Sequence, residues 1–584
     1  MKNNIEMIAS GTVQYGLSFL LKQRRYWILA QDSRIFYLVG FAGLCALTLL
    51  VVFYRLGDHG IVNGNESLYI ESAREMLLSR NFAIPTLNGL PYLEKPPLLI
   101  WLLAFFIHLL GISEWVARLV TALATLALII SISRFSKLLR ISTTGISAGL
   151  FLITSVGIDV MSRVAMPDML LTTLFTTGCI NFMAALQTQR RGYLRLCAAL
   201  LGAASLIKGF LPIVLFIIIL ATFYWQQDHR RADILKLIRD PVAVLLLFSP
   251  MILWLIAIEF KQPGAIYDFI INEHVLRYLG MREPHDYYSG SVFYYVPRLF
   301  LFFFPWAGVL AFGWWATARS QVPSKLEIRN FLWLCVWIPF GFFSLSSAKA
   351  NYYIILCLPP MALLVADYLP ALLKDRQRIN LAMAITAPVM ILIALWTYRL
   401  WALSTGRILP FFPARDGSLP MTIGIVLVLA LIAVLFLHAG WRRASIFCLG
   451  GVIIPLSLEF DHIVARAEPL MSARTMATYI QNKFSDRPVF LFQDFESFGS
   501  LPIYLKRTIP VIDSTSADLY SGHKKFPDHP NFLTENQAVA GGSGTLIVVM
   551  HNKEQTFMQT KLQKQCVKIV EIGSAALYTI APQK

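Results

Sequence analysis

The residues able to do chemistry stand at the ends of apolar runs. Asn65 and Glu66 open NESLYIESAREML, and Glu94 and Lys95 precede Pro96 and Pro97. Arg163 and Asp168 come just before one apolar run, and Lys208 sits between two others. Glu273, His274 and Arg277 share INEHVLRYL, and Lys349, Tyr352 and Tyr353 share SSAKANYYIILCLPP. Cations of this kind can hold an anion, carboxylates can serve as bases, and tyrosines can shape a sugar or lipid groove. Asn65 is expected to cap a helix whose free N–H groups suit a phosphate, or to be a plain cap. Glu94 with His274 offers two ligands to a divalent metal; the other reading of His274 is a hydrogen-bonded ring. Lys208 reads equally as a site residue or as a lysine snorkelling from a helix end.

The elements that must position these groups are membrane helices. Of 584 residues, 56% are apolar and 15% charged, against roughly 25% charged in a soluble domain. The net charge of +17 matches Lys/Arg-rich cytoplasmic loops, and no nucleic-acid motif accompanies it. The seven cysteines carry no CxxC or metal spacing, so no structural disulfide is expected. Apolar runs near 35–55, 97–112, 115–134, 143–158, 169–187, 193–206, 209–226, 242–258, 292–316, 329–346, 351–370, 380–402, 420–438 and 444–460 are candidate spans, a span needing about 20 residues. Basic clusters such as Arg134/Lys137/Arg140, Arg230/Arg231 and Arg442/Arg443 should all face the cytoplasm. Parity then makes 97–112 a re-entrant or surface helix.

The result is an all-α polytopic membrane protein with about 13 transmembrane helices and a small C-terminal α/β domain. A cytoplasmic N-terminus covers 1–34. The transmembrane domain covers 35–460, with outer loops 56–114 and 259–291. An outer, periplasmic α/β domain covers 461–584. Residues from Asn65 to Leu77 are expected to form an amphipathic surface helix. In the C-terminal domain, strands are expected at Val489–Gln493, Thr545–Met550 and Val567–Ile572, helices at Arg474–Asn482 and Glu554–Lys564, and a polar loop from Pro527 to Ala540. All the singled-out polar groups then fall on the outer face. A transporter places such groups at the midplane, so one-sided placement suggests an enzyme with a lipid substrate in the outer leaflet.

These segments resemble a known family. NESLYIESAREML, PTLNGLPYLEKPPLLIW, MPDML, INEHVLRYL, FFFPW and SSAKANYYIILCLPP, in that order over roughly 35–370, are similar to polyprenyl-phosphate-dependent GT-C glycosyltransferases. The group includes protein O-mannosyltransferase-like enzymes and especially the aminoarabinose transferases that modify lipid A. The resemblance implies a donor sugar on undecaprenyl phosphate and substitution at its anomeric carbon. It implies an acceptor at the outer face of the bacterial inner membrane, lipid A phosphate first and a protein or glycan hydroxyl second. A non-enzymatic lipid-linked sugar flippase is the remaining alternative.

The family usually has Asp-Glu where this chain has Asn65–Glu66, and Asn65 cannot act as a base. Asp168 is therefore the first catalytic candidate and Glu66 the second. Tyr69, Glu94, Lys95, Lys208, Arg277, Lys349, Tyr352 and Tyr353 are the expected substrate- and phosphate-binding residues, with Lys95 foremost for the leaving phosphate. No cofactor is required beyond an optional metal at Glu94 and His274. The partners are the donor, the acceptor and membrane lipids, and the protein is expected to act as a monomer.

Overall fold

Runs of Leu, Ile, Phe and Val become helices here because a segment in lipid must satisfy its own backbone N–H and C=O groups. The computed structural model describes residues 34–138, 145–284, 290–317, 323–382 and 418–582. Among these, seven helices are long and apolar enough to cross a membrane: Glu114–Ser136, Pro167–Thr188, Pro241–Lys261, Leu326–Leu345, Asn351–Lys374, Leu419–His438 and Arg442–Met471. Two helix pairs, bent by 110° and 95°, bring the number to nine if each is one span.

The expected thirteen is not reached among the described residues, for identifiable reasons. The segment 143–158 is broken into Ile146–Ile153 and Val156–Met161. Leu98–Leu110, already set aside from the thirteen as re-entrant or surface-bound, has 13 residues, about 20 Å of helix against a core of about 30 Å. Most of 380–402, Arg140 and the segment 1–33 lie outside the described residues. The final helix of the membrane part runs on to Met471, so the boundary expected at 460 falls inside it.

Beyond that helix lies a six-stranded sheet. Its strands are β3 (Val489–Phe492), β4 (Val511–Ile512), β5 (Phe532–Leu533), β6 (Leu546–Met550), β7 (Cys566–Ile572) and β8 (Ala575–Ile580), in the order β5-β4-β3-β6-β8-β7. Strands β5, β4, β3 and β6 are parallel, while β8 pairs antiparallel with β6 and β7. Central β6 is buried throughout, as expected of a strand covered on both faces. Helix Arg474–Phe484 packs Met476, Ala477 and Ile480 on one face. The expected loop at Pro527–Ala540 is instead partly ordered: it holds β5 and a helix, Glu535–Ala540, with a Thr534–Gln537 capping box. The helix expected at Glu554–Lys564 stops at Met558.

The first outer loop joins the two parts. Helix Asn65–Ser79 is buried along 66–76, not laid on the membrane surface, because the C-terminal domain covers the face expected to meet solvent. Leu68, and Leu87, Leu90 and Tyr92 of the following hairpin β1 (Thr86–Leu87) and β2 (Leu90–Pro91), belong to the core of the C-terminal domain. Asn88, fully buried at the hairpin tip, exchanges two hydrogen bonds of 2.9 Å with the backbone of Ile509, and Asn531 donates to its carbonyl at 2.7 Å. Asn63 accepts from the N–H and hydroxyl of Ser500. Replacing Asn88 with Ala strands the Ile509 groups at a cost of about 1–3 kcal/mol each. Asn88→Ala should therefore lower Tm in detergent and speed proteolysis within 472–582; unchanged values would show that this tip does not hold the domain.

Candidate active site

A cavity of about 810 Å³ opens between the membrane helices and the C-terminal domain. Asn65, Tyr69, Glu94, Lys95, Asp168, Lys208, Arg277, Lys349, Tyr352 and Tyr353 line it from the membrane side. Arg282 joins them, and Asp494, Glu496, Asp518 and Lys553 form the opposite wall. Segments spread over nearly 300 residues are thus brought to one space. Glu66 and His274 are not among its lining residues.

Asn65 is exposed and is the first residue of its helix, not the cap. The cap is Gly64 at φ +80°, ψ −133°, a conformation open to glycine alone in practice.

Glu66 is a structural residue by its contacts. Arg118 grips it through two hydrogen bonds of 2.9 Å, and the side chains of both are essentially inaccessible. The backbone N–H of Val62 and of Ala165 complete the carboxylate at 2.8 and 3.0 Å. Arg118 also donates to the carbonyls of Leu56, His59 and Gly60. Burial pushes the Glu66 carboxyl up, but Arg118 and the two N–H groups outweigh it and hold it below its usual value. Such a carboxylate has no lone pair to offer a substrate. Sequence reading passed over Arg118; a charge inside the apolar stretch EWVARLV was the available signal.

Ala165 leads directly into the helix Pro167–Thr188, whose first turn carries Asp168. Asp168 is 2% exposed. Its Oδ1 accepts from Lys208 Nζ at 2.5 Å, and its Oδ2 has no partner. The Lys208 ammonium also stands 3.8 Å from the Tyr353 ring centre. Lys208 ends its helix, and Gly209 follows at φ +64°, where a Cβ would meet His274 Nε2 at 1.9 Å. His274 in turn bonds the Phe269 carbonyl at 2.7 Å. The ring therefore packs the loop against Lys208.

Around Lys95 the charges interlock. Arg277 lies 3.7 Å from Glu94 and 3.3 Å from Glu273, and Arg282 bonds Glu273 at 2.9 Å and also bonds Glu94. Lys95 Nζ is 3.8 Å from Glu94. Burial pushes Glu94 up, yet Arg282, Lys95 and Arg277 hold it below its usual value. Burial and the nearby Glu94 push Glu273 up to about 7. Burial and Arg277 push Lys95 down to about 8. Glu273, His274 and part of this network sit on a π-helical segment, Asp268–Leu276, a form common at functional sites. Lys349, 3% exposed, donates to the Phe343 and Ser344 carbonyls at 3.0 and 2.6 Å. It thereby caps the end of the helix Pro323–Leu345 at the cavity wall.

A second, mainly apolar groove of about 400 Å³ runs past Phe210, Leu211, Val214, Leu279, Phe342 and Phe343. It shares Glu94, Lys95, Lys208, Arg277 and Tyr353 with the polar cavity. The expected metal pair meets different partners here: Glu94 is committed to three cations and His274 to a carbonyl. The one group of three or more potential ligands among the described residues is His551, Glu554 and Glu571, on the C-terminal domain.

Removing Arg118 leaves Glu66 buried without its counter-ion, a loss of about 3–5 kcal/mol. Arg118→Ala should give a markedly lower Tm, and the double variant Arg118→Met/Glu66→Leu should recover much of it. Equal damage in both would mean that the pair is not what holds this junction.

The family model for dolichyl-phosphate-mannose-protein mannosyltransferases matches residues 94–254. An undecaprenyl phosphate-α-4-amino-4-deoxy-L-arabinose arabinosyl transferase of Pseudomonas fluorescens is 28% identical over 346 residues, 58% of this chain and 60% of the relative. The chain thus spans less than two thirds of that relative's length, and likewise 60% of one from Shewanella sediminis. A Proteus mirabilis transferase of the same name is 26% identical over 504 residues, 83% of this chain and 86% of the relative. The crystal structure of ArnT from Cupriavidus metallidurans bound to undecaprenyl phosphate superposes with a TM-score of 0.75 at 22% identity, covering 93% of this chain and 99% of that one. In fold and in sequence the chain is thus similar to polyprenyl-phosphate-dependent GT-C transferases, and among them to the aminoarabinose transferases.

Proposed function

We propose that this protein is an integral-membrane glycosyltransferase. It takes a sugar from undecaprenyl phosphate and places it on an acceptor at the outer face of the inner membrane. Lipid A phosphate is the preferred acceptor. The sugar is the 4-amino-4-deoxy-L-arabinose for which its relatives are named. The observation that carries the reading is the shared rim of the two spaces. Lys95, Lys208 and Arg277 border both the apolar groove and the polar cavity. A polyprenyl phosphate has that same division: chain in the groove, phosphate at the cations, sugar in the cavity.

In the transfer, the bond between the anomeric carbon and the carrier phosphate oxygen breaks as the acceptor oxygen attacks. The leaving phosphate gains charge, and cations already in place lower the barrier without reorganising. Lys95 and Arg277 fill that role. Asp168, paired on one oxygen with Lys208, keeps the other buried and unpartnered at the cavity wall, where a sugar or acceptor hydroxyl that reaches it would donate to it. An acceptor phosphate is already ionised and makes little demand on a base, which fits Asn65 at the position where the family has Asp. The second reading is transfer to a protein or glycan hydroxyl. It draws on the mannosyltransferase model over 94–254 and would make Asp168 the base. We place the cavity outside and the loop near Asp233 inside, so labelling of single cysteines in intact cells should mark position 475 and miss 233.

The test is transfer by the purified protein from undecaprenyl-phosphate aminoarabinose to lipid A, read by mass spectrometry. A gain of one aminopentose on lipid A supports the first reading, and a modified protein or glycan hydroxyl the second. Lys95→Ala should abolish transfer, since a charge-assisted contact contributes about 1.5–3 kcal/mol and more where charge develops. Asp168→Asn should eliminate activity in a folded protein, and full turnover would remove Asp168 from the chemistry. The Lys95 pKa gives a pH test. Its value is depressed to about 8, so the cation is present below that pH and lost above it. kcat/KM for the donor should fall as pH rises through about 8. In Lys95→Arg that limb should vanish, because a guanidinium stays charged.

A further inference from the structure

One cluster of buried charges lies outside the cavity and takes no part in the transfer. Glu71, Arg74 and Glu75 follow one another along the helix Asn65–Ser79 and are 0, 6 and 6% exposed. Arg74 donates to the Glu71 carboxylate twice, at 2.7 and 2.5 Å. Glu75 receives the Gly89 N–H, 3.1 Å from each of its oxygens, and the Thr86 hydroxyl. Its carboxyl also bonds that of Glu71. Two carboxyl groups bond each other only with a proton between them. The donors of Arg74 already face Glu71, so that proton belongs to Glu75. The charge count agrees: two acids and one guanidinium closed from water are neutral only with one proton aboard. Burial and Glu71 accordingly push the Glu75 carboxyl up to about 7.

The hairpin tip ties this cluster to the C-terminal domain. Asn88 and Gly89 stand at φ +53° and +79°, the two positive values that a tight hairpin turn of this twist requires. Glu75 holds the tip from behind, while Asn88 bonds Ile509 and Asn531 in front. There is no slack at the tip, since a Cβ on Gly89 would meet Asn531 Nδ2 at 3.2 Å and His529 Cε1 at 3.4 Å. The other titratable groups on the elements packed here are few. His529 faces the tip from the C-terminal domain, and burial pushes its pKa down. Helix Leu98–Leu110 brings only His108, which is exposed. Helix Leu501–Leu505 brings Tyr504, engaged with the Ile61 N–H and with Glu114.

We propose that Glu71, Arg74 and Glu75 form a proton-operated latch on the C-terminal domain. With the proton in place the hairpin tip is held and the domain is docked; without it the two carboxylates repel and the tip loosens. The proton comes from the solution bathing the C-terminal domain. That domain supplies one wall of the cavity, so acidity sets how firmly the cavity is closed, whichever sugar or acceptor it handles. A carboxyl raised in the docked state fixes the sign. Docking is firmest at low pH, weakens as pH rises towards about 7 and levels off above it.

Hydrogen–deuterium exchange on the full-length protein in detergent, without substrate, reads the latch between pH 5.5 and 8.5. Protection factors, corrected for the intrinsic pH dependence of exchange, are followed in peptides covering 86–91 and 505–512. In the wild type they should fall by about tenfold between pH 5.5 and 7, the linkage of a single proton, and then level off. Glu75→Gln, uncharged but still a donor towards Glu71, should keep the low-pH protection throughout. Glu71→Gln removes the excess charge in a second way and should be equally flat. Wild-type protection that does not change with pH, or a fall that persists in Glu75→Gln, overturns the latch. A fall that vanishes only in His529→Asn assigns the effect to that ring and overturns it as well.

Discussion

The buried pair of Glu66 and Arg118 is the contact on which the site's geometry depends. Two charges removed from water are costly unless every lone pair and N–H is used. Here Glu66 receives Arg118, Val62 and Ala165, while Arg118 also satisfies three carbonyls of the loop at 56–60. One ion pair therefore locks the first outer loop, the membrane helix from Glu114 and the start of the helix that carries Asp168. Neighbouring Arg163, bonded to Asp461 and Ser457, ties the same segment to the last membrane helix. The carboxylate at the cavity is placed by charges that never reach it.

Outside that lock, the site is a balance of opposite charges. Three cations surround Glu94, and two of them share Glu273. Such a network neutralises itself, each carboxylate being shared by two or more cations. Burial keeps the local dielectric low, which strengthens those contacts. An apolar groove runs beside it and shares Glu94, Lys95, Lys208, Arg277 and Tyr353 with the polar cavity.

The C-terminal domain is more than an appendage. The hairpin at 86–91 contributes side chains to its core, and its own loops form one wall of the cavity. Membrane part and sheet domain thus share both a hydrophobic core and a site.

Sequence alone settled the helical membrane class, because apolar length and basic loops are local quantities. It also picked out ten of the residues that line the cavity, all on the membrane side. Lys95, Asp168, Lys208, Arg277 and Lys349 are charges set beside apolar segments, where only function or pairing would keep them. The strands at 489–492, 546–550 and 566–572 were legible from their β-branched runs. Tertiary structure decided the rest. Whether Glu66 faces a substrate or an arginine 52 residues away is a matter of packing that no local pattern carries. The burial of helix Asn65–Ser79 depended on a domain some 400 residues distant, and its amphipathic stripe reads the same against lipid or against protein. Asp494, Glu496 and Asp518 carry no local pattern that marks them in the sequence. Only the docking of the sheet domain turned them toward the cations, since electrostatic pairing depends on distance in space and not along the chain.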